Sequence, residues 1–118
     1  MISGPPGESS PMSPQVFHIL LALAPGDQHG YAIMQDVAER TNGKLRLSPG
    51  TLYGSIKRML ERGLIIELRE DQRPKHDDPR RRYYRLTASG RKAMLAETRR
   101  MEQLLEQARA YGLAPKRA

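Results

Sequence analysis

The stretch from Ser48 to Leu64, SPGTLYGSIKRMLERGL, restricts what this chain can fold into more than any other. Ser48 suits an N-cap, Pro49 the first helical position, and Leu52, Ile56, Met59 and Leu60 follow at helical spacing, which predicts one short amphipathic helix. Gly63 is placed for a left-handed C-cap, with Leu64 folding back onto the last turn. At about 100° per residue, the face opposite the apolar stripe carries Gly50, Gly54, Lys57, Arg58 and Glu61, with Thr51 and Tyr53 on its shoulders. The short side chains of Ser48, Gly50 and Thr51 let the backbone approach a large partner, and Lys57 and Arg58 supply positive charge alongside. Such a surface suits insertion into a DNA major groove. It also fits an ordinary solvated helix, so the rest of the chain must decide.

The chain opens with MISGPPGESSP, rich in Pro, Gly and Ser and lacking periodic apolar residues, which predicts a disordered tail over residues 1–11. Ser13 and Pro14 repeat the cap-plus-proline signature and lead into Val16, Phe17, Ile19, Leu20, Leu21 and Leu23, a core helix that Pro25 and Gly26 stop. His18 falls inside this apolar segment without a second ligand at i+3 or i+4, so it reads as a packed histidine rather than a metal ligand. After a PGDQ turn, HGYAIMQDVAERTNG predicts a second helix with Ile33, Met34, Val37 and Ala38 inward and Asn42-Gly43 as its stop. Tyr31 at its start either props the core or points its hydroxyl at a phosphate beside the helix N-terminus. The brief connection KLRL then leads into the Ser48 helix, making a helix-turn-helix pair.

Beyond Gly63 the period becomes extended. LIIELRE and RRRYYRL read as two strands, the second with Tyr84 and Leu86 on one face, joined by the polar tip DQRPKHDDP. Charge runs of this kind are often only solvated loops. Here Arg73, Lys75, Arg80, Arg81 and Arg82 gather at one end of the hairpin, beside the expected recognition helix, and predict a phosphate-binding wing. His76, Asp77 and Asp78 are adjacent on a loop and converge poorly on one ion, so no metal is expected.

Thr87 caps a last helix, with Gly90 weakening its first turn. Met94, Met101 and Ala108 recur at sevens, as do Leu104 and Tyr111, and with Leu105 and Leu113 they outrun what a three-helix core can cover. Sevens suggest a partner helix, here a second copy; packing on the chain's own first helix is compatible, one task at each end. The expected dimerisation residues are Met94, Met101, Leu104, Leu105 and Ala108.

At 118 residues the chain makes one domain plus tails, and 20 Lys and Arg against 13 Asp and Glu give a net charge of +7, which favours a polyanionic partner. No apolar run approaches the ~20 residues that span a bilayer and no signal-like N-terminus is visible, so a cytoplasmic protein without membrane contact is the simplest expectation. The absence of cysteine excludes disulfides and thiolate metal sites. No metal set, phosphate-binding glycine loop or nucleophile-histidine-acid constellation appears, so neither catalysis nor a cofactor is expected.

Together these elements predict a mainly α protein with a small β-hairpin: a winged helix-turn-helix over residues 12–87, a C-terminal dimerisation helix over 88–112 and a tail at 113–118. His29-Gly30-Tyr31, Ser48-Pro49-Gly50-Thr51-Leu52-Tyr53, Glu61-Arg62-Gly63-Leu64-Ile65 and Arg82-Tyr83-Tyr84-Arg85-Leu86-Thr87, in that order, resemble the PadR family of winged-helix transcriptional regulators, over roughly residues 12–112. The single C-terminal helix resembles its compact subgroup. That resemblance implies a homodimer, a palindromic operator in double-stranded DNA and repression relieved by a small molecule. It places DNA contacts on Tyr31, Ser48, Thr51, Tyr53 and Lys57 and on the wing's basic residues; with Arg58 from the helix face, the expected DNA-binding set adds Arg73, Lys75, Arg80 and Arg81. Compact members that hold flat aromatic drugs do so between tryptophans, and this chain has none, so a pocket here needs other walls such as Phe17, Met94 and Met101. A winged helix that binds protein instead of DNA is the alternative; it calls for an apolar or acidic face on the third helix.

Overall fold

The computed structural model describes residues 11–117, so the tail expected at 1–11 lies outside the described residues except for Pro11. Four α-helices and a three-stranded antiparallel sheet are present among the described residues: α1 (Pro14–Leu23), β1 (Gln28–His29), α2 (Gly30–Arg40), α3 (Pro49–Glu61), β2 (Ile65–Glu67), β3 (Tyr83–Leu86) and α4 (Ala88–Ala110). The helix starts follow the chemistry of their caps. The hydroxyl oxygens of Ser13, Ser48 and Thr87 accept from the backbone N–H of Val16, Thr51 and Gly90 at 3.2, 3.1 and 3.0 Å. Asn42 and Gly43 end α2 in left-handed conformations, and Gly63 (φ 73°) ends α3 while Leu64 N–H reaches back to the Met59 carbonyl at 3.0 Å.

Ile19, Leu20 and Leu23 of α1, Ile33 and Val37 of α2, Leu52, Ile56 and Met59 of α3, and Ile65 and Tyr84 of the sheet form one buried cluster. The stripe expected on α3 is displaced by a fraction of a turn: Leu60 is only half-buried, and Ser55 is buried in its stead. His18 is half-buried on α1, its Nδ1 enclosed without a hydrogen-bond partner.

The sheet departs from the expected two-stranded hairpin. Gln28 and His29 pair with Tyr84 and Tyr83, so the sheet runs β1-β3-β2 with the last strand in the middle. A two-residue strand has no periodicity of its own, and tertiary bonds create it: the Arg85 guanidinium donates from Nε and Nη2 to both Asp27 oxygens at 3.0 and 2.9 Å. The paired strands are also shorter than LIIELRE and RRRYYRL, and a single 3-10 turn at Glu70–Gln72 begins the wing tip.

α4 leaves the sheet at a close approach. A Cβ on Gly90 would stand 2.2 Å from the Leu64 carbonyl oxygen, so the glycine expected to weaken this turn is what lets the helix lie against β2. Met94 packs against the core cluster of its own chain, the task at the near end of α4 that is compatible with a partner helix further along. One turn on, Glu97 is buried, held by Arg100 at 2.9 and 2.6 Å; that guanidinium above all, with the Met12 backbone assisting, keeps its carboxyl below the ordinary range despite burial. With 23 residues, α4 spans about 35 Å, so its second half runs beyond the core.

Candidate nucleic-acid interface

The start of α3 is small and only half committed. Ser48 Oγ accepts from Thr51 N–H and donates to Thr51 Oγ1 at 3.0 Å, which leaves the Thr51 hydroxyl hydrogen free to donate outward. A Cβ on Gly50 would meet nothing within 4 Å, so this turn offers an open backbone surface. Lys57 and Arg58 are exposed further along, with Arg58 Nη2 leaning on Ser55 Oγ at 3.4 Å. Apart from the Tyr53 ring and Glu61, the exposed face is small, polar and basic.

Beside α3 lies a cleft of about 380 Å³ lined by His29, Gly30, Tyr31, Tyr53, Asp78, Arg80, Arg81 and Arg82. The fold thus brings together Tyr31 from the start of α2, Tyr53 from α3 and the last arginines of the wing. Tyr31 is 59% and Tyr53 48% exposed, so both rings present area to a partner and neither is a core prop. Ser48, Thr51, Lys57 and Arg58 stand outside the cleft on the exposed surface of α3.

The wing does not present all its cations equally. Arg73 is turned inward: it donates from Nε and Nη2 to the Leu68 carbonyl, each at 3.4 Å, and lies 3.6 Å from Glu67, so it secures the base of the wing. Lys75 is exposed on the tip and does not line the cleft. Arg80 donates from Nε and Nη2 to Asp78 at 3.3 Å each, Arg81 Nη1 to Asp77 at 3.0 Å, and Arg82 Nη1 to Glu67 at 2.9 Å. Acidic residues of the same wing thus already hold four of the five wing cations. Such solvent-facing pairs are weak, so phosphate oxygens can replace them.

Asp77 also accepts from the Tyr83 hydroxyl, and the His29 ring meets Tyr83 edge-on at 5.4 Å, which ties the wing tip to the entrance of α2. The Tyr83 hydrogen bond is the chief cause of a lowered Asp77 carboxyl and a raised Tyr83 phenol. Burial pushes Tyr84, behind them, up to about 12. His29 caps α2 by accepting from Ala32 N–H at Nδ1 (3.2 Å); burial first, then Arg81, lowers its pKa against the pull of Asp77. Sequence reasoning singled out His29 only within a motif, and a histidine cap has no strong local signal.

The expected dimerisation residues are placed unequally. Met101, Leu104 and Leu105 are 39%, 50% and 37% exposed on the projecting half of α4, Ala108 is half-buried, and Leu95, at 51%, joins the bare surface although its spacing did not mark it. No helix among the described residues is long and apolar enough to cross a membrane.

The model of the PadR-like transcriptional regulator family matches residues 19–96, which contain α2, α3 and the wing. The chain belongs to this family. It is 36% identical over 87 residues to a transcriptional regulator of Mycobacterium tuberculosis, covering 74% of this chain and 75% of that one. It is 37% identical over 86 residues to an uncharacterized 37.1 kDa protein in a transposon of Streptomyces fradiae, spanning 73% of this chain and only 22% of that protein. The fold is similar to that of a PadR family transcription regulator from Clostridium difficile, at 23% identity and a TM-score of 0.68, covering 84% of this chain and 98% of that one. The family is one of transcription regulators and not of enzymes. Its motifs His29-Gly30-Tyr31 and Ser48–Tyr53, distant in sequence, meet at the cleft through Gly30, Tyr31 and Tyr53.

Proposed function

We propose that this PadR-family chain is a sequence-specific DNA-binding repressor that engages a palindromic operator as a homodimer. One observation carries the reading: Tyr31, Tyr53, Arg80 and Arg81, from α2, α3 and the wing, line one cleft beside the open, polar first turn of α3. In this reading the Thr51 hydroxyl and the backbone near Gly50 face base edges, while Lys57, Arg58, Lys75, Arg80 and Arg81 meet phosphates, and the tyrosines flank the backbone. Arg73 is withdrawn from the contact set, since the wing base consumes it.

Homodimerisation is supported by the bare stripe of Met101, Leu104 and Leu105 on a helix that outruns its own core. A two-fold pair places its recognition helices for half-sites one helical turn, or a multiple, apart. Relief by a small molecule belongs to the same proposal, with Phe17, Met94 and Met101 as candidate walls for its pocket.

The test is to sequence the genomic fragments that the purified protein retains and to measure binding to the recovered duplex against salt. A shared inverted repeat is expected, with log affinity falling against log salt by about 0.9 per phosphate neutralised. Retention of unrelated sequences with equal affinity would refute a sequence-specific regulator.

A further inference from the structure

Gly30 opens α2 at a position where alanine makes the better helix, and its φ is not among those in the left-handed region, so backbone conformation does not call for glycine here. What calls for it is Tyr53. A Cβ on Gly30 would stand 2.3 Å from the Tyr53 hydroxyl oxygen, 2.9 Å from Cζ and 3.3 Å from Cε1. The tip of a tyrosine on α3 therefore rests directly on the first turn of α2, while the flank of its ring stays in solvent. Tyr31 stands beside this contact, and Arg80, Arg81 and Arg82 close the far side of the cleft.

We propose that Gly30 is a positioning residue for DNA recognition: its missing side chain is the seat that fixes the Tyr53 ring at the mouth of the cleft. The proposal rests on the DNA-binding reading above. An exposed tyrosine loses rotamer freedom when a partner immobilises it, and a seat that already restricts the ring removes part of that loss. The hydroxyl is held beside the N-terminus of α2 and the wing arginines, where positive potential favours a phosphate. A side chain at position 30 would push the ring outward and spoil that alignment without altering any group that itself reaches DNA.

A double-mutant cycle tests this, using wild type, Gly30→Ala, Tyr53→Ala and the pair, each measured for affinity to the recovered duplex and for thermal melting. Gly30→Ala should weaken binding roughly threefold to tenfold, and should add no further loss once Tyr53 is alanine. Melting should show the same coupling: Gly30→Ala raises the transition less in the wild type, where the Tyr53 tip must swing aside, than in the Tyr53→Ala background, where the obstruction is gone and the better helix former remains. If Gly30→Ala alone does not fold while the pair does, the seat is supported. Additive binding losses, or a Gly30→Ala protein that binds as the wild type does, overturn the positioning role. A wild type that retains no duplex overturns the DNA-binding reading and this role with it, while the melting cycle still reports whether the seat exists.

Discussion

Gly90→Ala should destabilise the protein although alanine is the better helix former. On propensity alone the change would stabilise α4 by about 0.5–1 kcal/mol. The new methyl would lie 2.2 Å from the Leu64 carbonyl oxygen and 2.6 Å from Leu86 Cδ1, against 3.4–4 Å for ordinary contact, so one side must move by more than an ångström. Leu86 is itself packed against the core cluster, and the Leu64 carbonyl is fixed because it accepts from Thr87 N–H at 3.1 Å while Thr87 itself donates to Gly63 and caps α4. Overpacking a filled site costs about 1–3 kcal/mol, and a backbone obstacle puts this case at the upper end. Subtracting the propensity gain leaves a net loss of about 2 kcal/mol, or on the order of 10 °C in the melting midpoint of a domain this size. Thermal unfolding at one fixed protein concentration measures it, since association would otherwise shift the midpoint. Gly54→Ala is the control: its Cβ would meet only Arg58 Nη1, at 3.8 Å, and should raise the midpoint. A Gly90→Ala protein melting at or above the wild type would refute the close-approach argument.

The remaining predictions concern assembly, readout and pH. Leu104→Asp with Leu105→Asp should give a monomer by sedimentation, by placing unpaired charges in a desolvated seam, and should bind the full operator far more weakly because the second half-site is no longer tethered; a mutant that stays dimeric with full affinity would remove the dimerisation role of α4. Thr51→Ala should change which bases are preferred in selection from randomised duplexes, whereas Lys75→Ala should weaken all duplexes about equally and flatten the salt slope by about one unit; equal loss of preference in both would reverse the division between helix and wing. His29 has a folded pKa below its ordinary value of 6.5, so the unfolded chain takes up the proton more readily. Its contribution is intact above about 6.5 and is lost as pH falls through that value toward the lowered folded one, where protonated Nδ1 can no longer cap α2. Melting from about pH 8 to about pH 5 should therefore fall more for the wild type than for His29→Asn, which caps without titrating; parallel curves would show that His29 does not govern this window.

The helices were legible because their signals are local. Ser13-Pro14, Ser48-Pro49 and Thr87 announce helix starts, Asn42-Gly43 and Gly63 announce stops, and apolar spacing names most of the core, since a cap or a period needs only neighbours along the chain to exist. Thr51, Tyr53, Lys57 and the wing arginines followed from the same reasoning, as charge and size on a face left over once the core was assigned. What the sequence could not decide was which long-range partner each polar group would take. β1 exists because Gln28 and His29 pair with Tyr84 and Tyr83, more than fifty residues on, with Asp27 meeting Arg85 beside them; Arg73 was taken up by the Leu68 carbonyl, and Arg80 and Arg81 by Asp78 and Asp77. Gly90 looked like a weak point in its helix and Gly30 only like part of a motif; both became sites of close approach once Leu64 and Tyr53 arrived against them. Glu97, which no local signal marks, is buried and meets the Met12 backbone, 85 residues earlier in the chain. Periodicity and capping are properties of the chain's own local geometry, so sequence determines them; ion pairing and steric exclusion depend on distances between distant segments, and those are settled only when the tertiary fold closes.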